Sequence, residues 1–178
     1  PHTALHREPV DLAALVRDTA GEMPGAVPVR LDVADNLPTL ALDRTRMRLL
    51  VRNLLDNAQR HGAEGTQPPV LSLRPAAEGG VVLEVRDFGP GVDDAQLAHL
   101  TEPFFRADSA RQRATGGVGL GMYLCRLVAE AHGGTLQVRQ ARPGLAVDVR
   151  LPLDGASAGA RADHGGRDDH QRGQRDRP

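Results

Sequence analysis

Apolar residues recur along this chain with two periods, one helical and one extended, and the alternation between them sets out the elements. Leu12, Leu15, Val16 and Thr19 fall at helical spacing within residues 10–22, behind Pro9, a residue suited to the first turn of a helix. Residues 27–33 alternate apolar and polar as a strand does, and residues 39–42 make a short second strand expected to pair with them. Asp43 predicts the N-cap of a long helix that runs to about Arg60 and closes near Gly62. Strands over residues 70–74 and 81–86 follow, joined through Glu78-Gly79-Gly80. A Gly/Pro-rich stretch leads to a short helix around residues 95–100, a polar Arg-rich loop over 106–117, and a helix over 119–131. The pattern ends in a hairpin, 135–139 and 145–151, turning at Arg142-Pro143-Gly144. Helices beside a largely antiparallel sheet predict an α+β two-layer sandwich with a mixed sheet and the helices on one face.

Length and composition narrow this picture. A chain of 178 residues suits one domain with a real core. Aromatic residues are 2% of it, so the core must be aliphatic. Charge is balanced, 22 Lys and Arg against 23 Asp and Glu, which makes no case for a nucleic-acid partner. The single cysteine, Cys125, excludes an internal disulfide framework and sits in an apolar helical run, where a buried hydrophobe is expected. No stretch reaches the roughly 18 apolar residues that span a bilayer, and no signal-peptide pattern opens the chain, so a soluble, intracellular piece is expected. Residues 154–178 carry no large apolar side chain and are expected to be a disordered tail, with His164 and His170 solvated in it.

Three segments carry candidate chemistry. On the long helix, Asn53 and Asn57 lie one turn apart beside the apolar stripe of Met47, Leu50, Val51, Leu54 and Ala58, and His61 continues their column. Two amides there either meet solvent and loop ends, or turn an oxygen into a cleft, where one neutral amide plus nucleotide phosphates would hold magnesium. Asp87-Phe88-Gly89-Pro90-Gly91 follows directly on the strand VVLEVR, so a carboxylate stands at the end of the sheet where glycines let a ligand approach. A carboxylate only accepts hydrogen bonds, which suits an exocyclic amine such as that of adenine; alone, the segment is also an ordinary turn. Gly116-Gly117-Val118-Gly119-Leu120-Gly121 opens a helix behind Arg106, Arg111 and Arg113, a combination suited to phosphate. It is neither a Walker A loop nor a dinucleotide fingerprint. Asp87-Phe88-Gly89 spells the DFG of eukaryotic-type protein kinases, but the H-R-D loop and the strand lysine that belong with it are missing.

Taken in order, the segments resemble a known family. RMRLLVRNLLDNAQRHG is similar to the N box of the GHKL ATP-binding superfamily, DFGPGV to its G1 box, and GGVGLGMYLCRLVAEAHGGTLQV to its G2 box with the helix and strand beyond. EPFFRAD resembles the F box of bacterial sensor histidine kinases, and HREPVDLAALV their passage from the helical dimerisation domain into the catalytic domain. The resemblance spans about Arg7 to Leu153 and implies a Bergerat-type sandwich: residues 1–8 a linker, 9–153 the ATP-binding domain, 154–178 the tail. It implies Asn57 as the magnesium ligand with Asn53 beside it, and Arg60 and His61 reaching the phosphates. Asp87 would accept from the adenine amine in a pocket shaped by Gly89 and Gly91. Gly117, Gly119 and Gly121 would form the phosphate-side hinge of a lid over residues 106–116 that bears Arg111 and Arg113, with Leu120 among the ATP-binding residues and Phe104 and the adjacent Phe105 left to anchor the lid. Two positions depart from the pattern. Thr101 stands where the F box usually has Phe, and Pro143-Gly144-Leu145-Ala146-Val147 replaces the usual Gly-x-Gly-Thr and Phe of the last strand.

Superfamily members that hydrolyse ATP carry a general-base Glu at the first N-box position; Asn53 cannot take a proton from water, so transfer to a protein is favoured. The implied function is Mg-ATP binding and donation of the γ-phosphoryl group to a histidine on a separate, upstream dimerisation domain, feeding a response regulator. None of His2, His6, His99 or His132 sits in an acceptor context. The alternatives are a nucleotide-binding regulatory module without transfer and a serine protein kinase of the same superfamily. This piece is expected to be monomeric and cytoplasmic, and its sequence leaves open whether the full-length protein is anchored in the inner membrane.

Overall fold

The computed structural model describes residues 4–24, 28–105 and 121–153. Among the described residues, two sheets and four helices follow one another as β1 (Arg7–Val10), α1 (Leu12–Glu22), β2 (Arg30–Val33), β3 (Leu40–Asp43), α2 (Arg44–His61), β4 (Val70–Pro75), β5 (Val81–Arg86), α3 (Asp94–Leu97), α4 (Gly121–Ala131), β6 (Thr135–Gln140) and β7 (Leu145–Leu151). The main sheet runs β2-β4-β5-β7-β6, with β2 parallel to β4 and every other pair antiparallel. This is the mixed, mostly antiparallel sheet that the pattern predicts.

Local chemistry starts each long helix. Asp11 caps α1 by accepting from the Ala14 amide at 3.1 Å, and Asp43 caps α2 by accepting from the Arg46 amide at 3.1 Å, each filling an otherwise orphaned donor. The Gly62 amide closes α2 on the Ala58 carbonyl at 2.8 Å. Leu12, Leu15, Val16 and Thr19 of α1 and Met47, Leu50, Val51, Leu54, Leu55 and Ala58 of α2 are buried. They join Leu71, Leu73, Leu83, Val85, Val147 and Val149 of the sheet in one aliphatic core, together with Cys125 of α4. The Cys125 thiol is pushed up to about 12 by burial, so it packs as a hydrophobe.

The opposite face of the sheet is polar. Glu84 and Asp148 stand directly across from one another on β5 and β7. Arg139 lies between them, its Nε 2.9 Å from Asp148 and a terminal nitrogen 2.5 Å from Glu84, which offsets the repulsion of two facing carboxylates.

The structure corrects three details of the sequence reading. Residues 39–42 do not pair with the strand before them: β3 pairs antiparallel with β1, while β2 pairs with β4. Pro9 is a strand residue opposite Ala41, and the first turn of the helix begins only after the Asp11 cap. Helix α3 is a single turn, continued by turn hydrogen bonds from the His99 and Leu100 amides to the Gln96 and Leu97 carbonyls. The tail over residues 154–178 lies outside the described residues.

Candidate functional site

Asp87 takes its place from the sheet. Its amide donates to the Leu145 carbonyl at 2.9 Å, extending the β5–β7 ladder by one residue, and its Oδ1 accepts from the Gly89 amide at 3.0 Å. The residue is 6% exposed. Burial pushes its carboxyl above the ordinary value of 3.8, against the pull of the Gly89 and Leu145 backbone and of the His61 and Arg86 charges nearby. A carboxylate kept at a cost beside a turn is poised to recover that cost from a ligand's donor.

Glycines let two backbones close on this carboxylate. A Cβ on Gly89 would collide with the His61 carbonyl oxygen, and one on Gly62 would come 2.6 Å from the Ala58 carbonyl oxygen and 3.3 Å from the Asp87 Cβ. A Cβ on Gly65 would stand 2.6 Å from the Phe88 carbonyl oxygen. The C-terminal end of α2 therefore rests directly on the Asp87–Gly91 loop. From the other side comes Gly144, in the turn between β6 and β7, at a φ of +78°. A side chain there would strike the Asp87 carbonyl and come 2.6 Å from its Oδ1. Gly91, at φ +73°, faces the same hairpin, and the Gln140 Nε2 pins the loop by donating to the Val92 carbonyl at 2.7 Å and to Asp94 at 3.2 Å.

Helix α2 carries the polar column. Asn53, Asn57 and His61 are half-buried along its side. Arg60 stands on the exposed side, with a terminal nitrogen 2.8 Å from Asp56. The start of α4 faces the same column: a Cβ on Gly121 would lie 3.9 Å from the Asn53 Oδ1. One turn on, the Cys125 thiol meets the Leu50 carbonyl at 3.6 Å, so α4 runs along α2.

The structure thus brings together Asn53, Asn57, His61, Asp87, Gly89, Gly91 and Gly121, with Arg60 at the margin. Phe104 is 71% exposed and stands at a φ of 63°. Thr101, in place of the usual Phe, accepts from the Arg126 guanidinium at 3.4 Å and so ties its segment to α4. Arg111, Arg113, Gly117, Gly119 and Leu120, with the rest of residues 106–120, lie outside the described residues. Sequence reasoning missed Gly62, Gly65, Gly144 and Leu145 as parts of the Asp87 surroundings. Gly62 and Gly144 were legible as a helix stop and a turn, but which backbone each touches depends on tertiary pairing.

The donors present suit a nucleotide better than a free-standing metal. Among the described residues no group of three or more His, Cys, Asp or Glu is gathered to hold an ion. A cation here would take one amide oxygen from α2 and the rest of its shell from phosphates and water, as magnesium does. The buried carboxylate at the other end, with glycines clearing the space beside it, fits a planar base bearing an amine.

Comparison with known proteins points the same way. Residues 42–155 match the family described as histidine kinase-, DNA gyrase B-, and HSP90-like ATPase. The chain is 37% identical over 155 residues to the probable sensor histidine kinase TcrY of Mycobacterium tuberculosis, covering 85% of this chain and 32% of that protein. Full-length ShkA, solved in complex with AMPPNP, superposes with a TM-score of 0.74 at 27% identity, over 91% of this chain and 34% of that one. The catalytic domain of the histidine kinase ThkA, at 20% identity, shares the fold with a TM-score of 0.70 over 85% of this chain and 98% of that one. The chain spans about a third of the length of the curated relatives TcrY and BaeS that it matches.

Proposed function

Because this chain belongs to the histidine kinase-, DNA gyrase B-, and HSP90-like ATPase family, we propose that it is the ATP-binding catalytic domain of a sensor histidine kinase. On this reading it binds Mg-ATP and donates the γ-phosphoryl group to a histidine on a separate helical dimerisation domain, from which a response regulator is charged. The observation that carries the reading is the buried Asp87 carboxylate, closed between the Gly89 and Gly144 backbones, at one end of a polar column that runs up α2 to Gly121.

Each residue has a part that follows from its chemistry. Asp87 accepts from the adenine amine, and the glycines beside it admit the ring. Asn57 offers the cation an uncharged oxygen, and Asn53 a second polar contact beside the start of α4. His61 and Arg60 lie at the C-terminal end of the same helix and carry donors for phosphate oxygens. Bound ATP with its magnesium supplies the transferable phosphoryl group. The protein's contribution is positioning and charge neutralisation, which suffices for that transfer. No carboxylate occupies the Asn53 position to deprotonate a water, which favours a protein acceptor over hydrolysis. Arg111, Arg113, Gly117, Gly119, Leu120 and Phe104 complete the proposed site as lid and hinge.

Incubation with γ-labelled ATP and the histidine-bearing helical domain of the longer protein tests transfer. Acid-labile, alkali-stable label on that domain is expected. Free phosphate released without label on the domain would replace the kinase reading with an ATPase one.

A further inference from the structure

The end of α4 farthest from the nucleotide column holds a second polar cluster, and it joins three separate parts of the chain. His132 follows α4 directly and is 1% exposed. Its Nε2 accepts from the Asp43 amide at 3.0 Å, and its Nδ1 lies 2.8 Å from the Val128 carbonyl. A carbonyl only accepts, so the ring is neutral with its proton on Nδ1. Asp43, 6% exposed, accepts from the Arg46 amide through Oδ1 and from the His6 amide through Oδ2 at 3.1 Å. Arg7, next along the incoming segment, donates to the Ala131 carbonyl at the end of α4 at 3.2 Å and to the Ala41 carbonyl at 3.3 Å. The cap of α2, the last turn of α4 and residues 6–7 are thus one hydrogen-bonded joint.

We propose that His132 is a positioning residue: its neutral ring locks the end of α4 to the α2 cap and the incoming strand, so that the placement of Gly121 beside Asn53 follows how residues 6–7 are held. Protonation of the ring turns Nε2 into a donor facing the Asp43 amide and opens the joint. The charged groups around the ring are Arg7 from β1, Asp43 at the cap and Arg46 in the first turn of α2; burial comes first among the influences that lower its pKa from 6.5. Helix α4 rises about 1.5 Å per residue without a break, so a shift at its end is carried to Gly121. The nucleotide half of this proposal rests on the site reading given above; the joint itself does not.

Nitrogen-15 NMR of the chain reads the His132 tautomer and the exchange protection of the Asp43 amide from about pH 7.5 to about pH 5.5, which brackets the ordinary imidazole titration. Calorimetry reads Mg-ATP affinity in a double-mutant cycle of Arg7→Ala and His132→Gln. The expected result is an Nδ1–H tautomer, with Asp43 protection falling about tenfold across that range and staying flat in His132→Gln. Each single variant should weaken Mg-ATP binding by about threefold to tenfold, and the double variant no more than the worse single one. An Nε2–H tautomer, a pH-independent Asp43 amide, or variants that melt lower yet bind Mg-ATP normally would overturn the proposal. If the unaltered chain binds no Mg-ATP, the nucleotide half falls with the site reading, and the NMR still decides the joint.

Discussion

At the scale of single residues, Asp87 is held in a surrounding that disfavours its charge, and that sets function against stability. Its pKa is raised above 3.8 by burial, so above that pH the ionised carboxylate costs the folded state free energy, and the cost disappears only in acid. Asp87→Asn keeps the shape and the acceptor for the Gly89 amide while removing the charge. The expected outcome is a melting temperature unchanged or raised, with Mg-ATP affinity lowered by about 1.5–3 kcal/mol, or roughly tenfold to a hundredfold. Equal affinity for the two forms would sink the adenine assignment. Asn57→Ala tests the other end of the column: calorimetry should find ATP weakened mainly when magnesium is present. A loss independent of magnesium would make Asn57 a structural residue.

Between elements, the contact to probe is the seat of α2 on the loop after β5. Gly89→Ala would drive a Cβ into the His61 carbonyl, and backbone cannot yield as a flexible side chain can. Denaturant unfolding should show a loss of about 1–3 kcal/mol, and the displaced loop should weaken ATP with it. Elements with a strong local signal were legible in the sequence. Asp43 before Met47, Leu50, Val51 and Leu54 announced α2, and the apolar run of Val81, Val82, Leu83 and Val85 announced β5. Strand β1 was not, because Arg7, Glu8 and Pro9 are exposed and only Val10 is buried, so no alternation marks them. The pairing of β3 with β1 rather than β2 was equally hidden, since partner choice is decided by packing and not by a strand's own pattern. The same holds in the site. Asp87, Gly89 and the α2 amides could be chosen from spacing, whereas Gly144 reaches Asp87 only through the β5–β7 register.

For the whole molecule, one aliphatic core binds sheet and helices, and the polar joint at His132 makes its stability depend on pH. The folded-state pKa of His132 lies below 6.5, so the unfolded chain takes up the proton first. Its contribution is complete above pH 6.5 and is lost as the pH falls toward the lowered value, by up to about 1.4 kcal/mol per pH unit. Asp43 adds a loss only in stronger acid. Burial acts to raise its pKa, but the Arg46 and His6 amides and the nearby Arg46 and His132 charges outweigh it and hold the carboxyl below 3.8. Thermal melts across this range should show the decline in the unaltered chain and a shallower one in His132→Gln; parallel curves would assign the slope to other groups. The central claim concerns the nucleotide, and titrating the purified chain with ATP by calorimetry, with and without magnesium, tests it most directly. Saturable binding that magnesium strengthens, without turnover of the ATP, is the result predicted for a catalytic domain separated from its acceptor. No binding, or steady hydrolysis by the chain alone, would contradict it.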